Sequence, residues 1–94
     1  MRLSDFERMV IKNSIHSLDK TAKIYLFGSR TDVEKKGGDI DILVISQKLS
    51  FKDTPLICAF VFKDMEEQKI DFIMAKDPNE SLFVKYIFEK AIPL

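Results

Sequence analysis

The sequence predicts an α/β (α+β) domain, a small mixed β-sheet flanked by helices. Two observations carry that expectation. Three short runs rich in strand formers, AKIYLF (22–27), DIDILVI (39–45) and KIDFIMA (69–75), are separated by stretches with helical spacing or capping signals. The 94 residues, 46% apolar and 32% charged, have ordinary globular composition and suit one domain spanning 1–94.

Each element has a local reason. Ser4-Asp5-Phe6-Glu7 has the form of a capping box, and Leu3, Phe6, Val10, Ile11, Ile15 and Leu18 recur at helical spacing, so residues 5–18 are expected to be an amphipathic helix. The strand at 22–27 is closed by Gly28, and the polar segment 29–38 holds at most a short helical turn. In the strand at 39–45, Ile40, Ile42 and Val44 point one way and Asp39, Asp41, Leu43 and Ile45 the other. Beyond Asp41 it is apolar on both faces, as a covered central strand should be. Asp53-Thr54-Pro55 signals a helix start, and DMEEQK lets that helix run to about Gln68. Along 69–75, Ile70, Phe72 and Met74 alternate with Asp71 and Ile73. Asp77-Pro78-Asn79-Glu80 then looks like the start of a last helix, with Leu82, Phe83, Tyr86 and Ile87 on one face.

Bulk properties exclude several classes. Lys plus Arg equals Asp plus Glu at 15 each, so the chain lacks the basic surface of a nucleic-acid binder. No run is long enough for a membrane span, and MRLSDFERM lacks the apolar core of a signal peptide. Cys58 is the only cysteine and lies inside LICAFVF, which fits a buried, inert thiol and a cytoplasmic protein.

Asp39 and Asp41 are the unusual feature. Two positions apart on a strand, their Cα atoms lie roughly 6–7 Å apart on one face. Full charges at that spacing repel by ~3 kcal/mol at an effective dielectric near 20, a large share of a net stability of ~5–10 kcal/mol. A divalent cation converts the repulsion into coordination, and Mg²⁺ takes one or two carboxylates together with substrate phosphates. If the strands at 39–45 and 69–75 are neighbours, Asp71 joins the pair, and three carboxylates can bind metal and accept a proton. Gly28-Ser29 lets the backbone approach a ligand and offers N–H groups and a hydroxyl to phosphate oxygens. Gly37-Gly38 would let Asp39 enter the site, while Arg30, Lys35 and Lys36 add positive charge on the same loop. Each feature alone is commonplace: a turn, an exposed acidic edge, solvated lysines. Their order is what points to a site.

GSR at 28–30, GGDIDILV at 37–44 and KIDFIMA at 69–75 together resemble the nucleotidyltransferase superfamily that includes DNA polymerase beta, and within it the minimal (MNT-type) nucleotidyltransferases. The resemblance implies the nucleotidyltransferase fold. It makes Gly28, Ser29 and Arg30 the nucleotide-phosphate contacts and Asp39, Asp41 and Asp71 the ligands of Mg²⁺, two ions in all, with Asp71 the general base. It further implies AMP transfer from ATP to a hydroxyl, a tyrosine of a partner protein, and the role of antitoxin to a helical HEPN-type ribonuclease toxin. The chain departs from the commonest pattern at Thr31-Asp32-Val33, Gly37-Gly38 and Ala91.

The competing expectation is a non-catalytic module that neutralises such a toxin by covering its active site. A phosphatase with a DxD nucleophile is excluded by topology, because its aspartates would follow an apolar strand rather than precede one. His16 has no second ligand in register and receives no role. Tyr25 and Tyr86 sit on core patterns and are expected to pack. Eight phenylalanines exceed what a small core can hide, which makes the closing helix a candidate partner surface.

Overall fold

The computed structural model describes residues 3–31 and 39–94. Its helices are α1 (Asp5–His16), α2 (Thr54–Asp64) and α3 (Leu82–Lys90), and its strands are β1 (Lys23–Phe27), β2 (Ile40–Ile45), β3 (Ile70–Ala75) and β4 (Ile92–Pro93). The four strands form one mixed sheet in the order β3-β2-β1-β4. β1 is antiparallel to β2 and to β4, whereas β2 and β3 are parallel, with α2 in the crossover between them.

The composition of β2 dictates this arrangement. Ile40, Ile42, Leu43 and Val44 are all fully buried, and a strand apolar on both faces must be covered on both. Ile40, Ile42 and Val44 pack with Ile24 and Leu26 of β1 beneath Ile11 and Ile15 of α1 and Ile57 and Val61 of α2. On the other face Leu43 packs with Ala75, Val84 and Ile87, joined by Tyr25, Phe27, Ile73 and Phe88. The alternation expected along 39–45 and 69–75 is therefore present, and so is the packing role expected for Tyr25, whose ring meets Phe88 edge-on at 5.1 Å.

Local signals fixed some boundaries and not others. The capping box at the start of α1 forms, with Ser4 Oγ accepting from the Glu7 N–H and Glu7 Oε1 accepting from the Ser4 N–H, each at 3.0 Å. α2 stops at Asp64 rather than running to Gln68: Met65 is extended (φ −136°, ψ 161°) and packs against the core below α1 and α2. Tertiary packing here overrides the helix preference of Met65, Glu66, Glu67 and Gln68, all good helix formers. The last helix does not begin at Asp77-Pro78. Asp77 Oδ1 accepts from the Asn79 N–H at 2.7 Å and Asp77 O from the Glu80 N–H at 3.0 Å, so the segment closes a turn of its own. Ser81 then caps α3 by accepting from the Val84 N–H.

Two tertiary ties were not apparent in the sequence. Ala91 is extended (φ −76°, ψ 150°) and carries the chain from α3 into β4, where the Leu94 N–H donates to Ile24 O and Arg8 Nη2 donates to Leu94 O, both at 2.9 Å. At the sheet end where β2 finishes, the buried Asp19 accepts from Ser46 Oγ at 2.6 Å and from the N–H and hydroxyl of Thr21, while Ser46 Oγ accepts from the Leu49 N–H. Among the described residues no helix is long and apolar enough to cross a membrane.

The Asp19 clamp should be measurable. The hydrogen bonds from Ser46 first, then from Thr21, hold its carboxyl below the ordinary 3.8. A lowered folded pKa stabilises above 3.8 and is lost as the pH falls through the folded value. Asp19→Ala is expected to cost ~1–3 kcal/mol in urea unfolding at pH 7, because it strands the buried Ser46 hydroxyl, and the gap from wild type should narrow as the pH drops below about 4.

Candidate active site

The mixed pairing of β2 builds the site. Because β1 runs antiparallel to β2 and β3 parallel to it, the end of β1 meets the starts of β2 and β3 at one edge of the sheet. There Phe27 lies opposite Asp41, and Asp41 opposite Asp71. Paired strands lie about 4.8 Å apart, so Asp41 and Asp71 are side by side on one face, with Asp39 two residues earlier on that face. The Ile40 N–H donates to Lys69 O at 3.4 Å, which carries the parallel register one step further and sets Lys69 beside Asp39. Lys69 Nζ lies 3.5 Å from Asp39 Oδ2 and 4.0 Å from Asp71 Oδ2.

The three carboxylates differ in surroundings. The side chains of Asp39 and Asp71 are each 50% exposed, whereas Asp41 is half-buried between β1 and β3. Burial pushes the Asp41 carboxyl above its ordinary value, and the negative charges of Asp71 and Asp39 and a hydrogen bond with Asp71 push the same way, against a smaller opposing pull from Lys69. The site is built at a cost: like charges directly opposed across a pair of strands are destabilising.

Gly28 gives Asp41 its place. Its φ is +79°, in the left-handed region, and a Cβ there would overlap Oδ2 of Asp41 and lie 3.2 Å from its Cγ. The glycine thus serves twice, turning the chain out of β1 and leaving the volume that the carboxylate fills. A 3-10 turn, Gly28–Thr31, follows and is closed by Thr31 Oγ1 donating to Gly28 O at 2.7 Å. Ser29 contributes backbone to this turn, and Arg30 is half-buried on it. Lys35, Lys36, Gly37, Gly38 and the Ser29 hydroxyl lie outside what the structure describes.

The strand–glycine turn, the Asp39/Asp41 pair and the strand-borne Asp71 thus meet at one sheet edge. The chain matches the family Polymerase beta, Nucleotidyltransferase over residues 10–94. It belongs to that nucleotidyltransferase family. No curated protein matches the chain significantly.

Nucleotidyltransferases of this kind generally work on nucleoside triphosphates with Mg²⁺, and the donors present fit such an ion in kind. They are all carboxylate oxygens, the ligands a hard cation takes, and a positive charge, the Lys69 ammonium, already stands against two of them. Among the described residues no three acidic, histidine or cysteine side chains are gathered at metal-binding spacing as they stand. The exposed Asp39 and Asp71 are turned to Lys69 instead, while the backbone register keeps all three aspartates on one face.

Sequence reasoning named the three aspartates and Gly28 but missed Lys69 and Thr31. The available signal for Lys69 was the repeat of form: Lys69-Ile70-Asp71 mirrors Asp39-Ile40-Asp41 on the neighbouring strand.

Two outcomes are expected. Gly28→Ala should lower stability by ~1–2 kcal/mol, the cost of a left-handed non-glycine residue, and should displace the Asp41 carboxyl, seen as a changed Asp41 side-chain carbon shift by NMR. Asp41→Asn should raise metal-free stability at pH 7 by ~0.2–1 kcal/mol in urea unfolding by relieving like-charge pairing. A raised folded pKa makes the native state bind the extra proton, so stability falls as the pH rises through that value, and the gain should fade toward pH 4.

Proposed function

We propose that the protein is a Mg²⁺-dependent adenylyltransferase that moves AMP from ATP to a hydroxyl, a tyrosine of a partner protein, and that it acts in the cytoplasm as the antitoxin to a HEPN-type ribonuclease. The observation that carries the chemistry is the parallel pairing of Asp41 with Asp71, with Asp39 two residues before Asp41 on the same face. The acceptor and the antitoxin role rest on the resemblance to the minimal nucleotidyltransferases.

In this mechanism Asp39, Asp41 and Asp71 hold Mg²⁺, which when bound neutralises phosphate charge and favours ionisation of the attacking hydroxyl. The backbone around Gly28 and Ser29, with Arg30, orients the triphosphate. Asp71, more exposed than Asp41, accepts the proton of the incoming hydroxyl. The hydroxyl oxygen bonds to the α-phosphorus, the bond between the α-phosphorus and the bridging oxygen breaks, and pyrophosphate leaves. The protein's contribution is alignment and charge placement.

A macromolecular acceptor is supported by α3. Its Val84 and Ile87 pack on the sheet face that also bears the carboxylates, and its Leu82, Phe83 and Tyr86 are 87%, 57% and 59% exposed. The core role expected for Tyr86 is therefore not the one it has. Large apolar side chains grouped on one exposed helix mark a contact surface.

The test combines calorimetric titration with ATP, GTP, CTP and UTP, with and without Mg²⁺, and transfer of label from α-phosphorus-labelled ATP to the HEPN partner. Mg²⁺-dependent ATP binding and labelling of a partner tyrosine are expected, with labelling reduced at least ~100-fold in an Asp39→Ala/Asp41→Ala variant that still folds. If that variant neutralises the partner as well as wild type does, the domain acts by covering the toxin and not by transferring AMP.

A further inference from the structure

Among the described residues of the site, the proposed chemistry leaves Lys69 without a task. Its ammonium bridges Asp39 and Asp71, at 3.5 and 4.0 Å, from a side chain that is 67% exposed. The contact is built into the backbone, because the Ile40 N–H bond to Lys69 O fixes Lys69 beside Asp39, and alternation along the strand puts it on the face of Asp71. It is therefore not a stray surface pair.

We propose that Lys69 is a tethered counter-ion that makes the site select a metal–nucleotide complex over the bare metal. The inference rests on the nucleotidyltransferase reading of the three carboxylates. With no ligand present, Lys69 lowers the repulsion among Asp39, Asp41 and Asp71, the same sense in which it acts on Asp41. A bare divalent cation must displace the ammonium and then meets a like charge held nearby. A metal–nucleoside triphosphate brings net negative charge, so the displaced ammonium, on its flexible four-carbon stem, exchanges carboxylate partners for phosphate oxygens. The same lysine thus opposes one ligand and attracts the other. Its action is that of a selectivity residue, since none of this requires it to touch the reacting atoms.

The two effects have opposite signs, and that makes the proposal testable without turnover. Free Mn²⁺ is counted by electron paramagnetic resonance while the chain is titrated, and the Mg²⁺ complex of a non-hydrolysable ATP analogue is titrated by calorimetry. Wild type, Lys69→Gln, Lys69→Arg and Asp41→Asn are compared, each checked for folding by thermal unfolding. Because two exposed ion pairs are lost, Lys69→Gln is expected to bind bare Mn²⁺ about threefold to tenfold more tightly than wild type, and the gap should shrink as salt is raised. The same variant should bind the Mg²⁺–nucleotide complex a few-fold more weakly, and Lys69→Arg should stay near wild type for both. Unchanged Mn²⁺ affinity in Lys69→Gln, or a shift of both ligands in the same direction, overturns the role of Lys69 while leaving the carboxylate site in place. Mn²⁺ binding that Asp41→Asn does not weaken overturns the site reading itself, and the Lys69 inference with it.

Discussion

The position of Asp41 is the constraint on which the rest of the site depends. Two hydrogen-bonded neighbours define it, β1 on one side and β3 on the other, and each brings a functional group into register: Gly28 just beyond Phe27, and Asp71 directly across. Neither juxtaposition rests on side-chain packing. Both follow from strand register, which a one-residue slip would destroy by turning every side chain to the opposite face. The fully buried Ile40, Ile42, Leu43 and Val44 hold β2 between its two neighbours and covered on both faces. The apolar run behind the aspartates is thus what makes their placement reliable.

An ionised cluster at a sheet edge works against folding, and the molecule offsets it in two ways. Lys69 supplies opposite charge at the edge itself. Polar ties hold the sheet away from the cluster: the Asp19–Ser46 clamp fastens the far end of β2 to the turn after α1, and Arg8 with Ile24 secures the last residue, Leu94. The strain is local and its compensation is distributed. That separation lets the charged cluster be carried without loosening the frame that aligns it.

What could be read from the sequence was what is local or periodic. The Ser4/Glu7 box, the two-faced pattern of β2 and the shared face of Asp39 and Asp41 depend only on neighbours in the chain, and all three are present. The convergence of Asp71 required one further assumption, that β2 and β3 are neighbours, which the α2 crossover makes a natural one. Lys69 was missed because its only signal, the echo of Asp39-Ile40-Asp41 in Lys69-Ile70-Asp71, gains meaning once the parallel register is known. Asp19 and Ser46 meet across 27 positions, and neither carries a motif. The C-terminal end of α2 and the start of α3 were misplaced where Met65 packing and the Asp77 turn compete with helix propensity, contests that a single sequence cannot decide.

The layout of the second sheet face bears on what the site can choose. Among the described residues, α3 covers Leu43 and Ile73 but nothing covers the edge where Asp39 and Asp71 stand, each half-exposed, so these residues form an open ledge and not a cleft. A groove of about 530 Å³, lined by Phe6, Met9 and Phe60 among others, runs between α1 and α2 on the other side of the sheet. An open ledge can align phosphates through charge, which acts at a distance, but it cannot grip a base or an acceptor by shape, which needs walls. Selection of the acceptor must then come from whatever completes those walls, and the exposed apolar row of α3 stands on the same side of the sheet as the ledge. Under the proposed function, catalysis and recognition would fall to different parts of one sheet face: the charged edge to the triphosphate, and the apolar helix beside it to the partner.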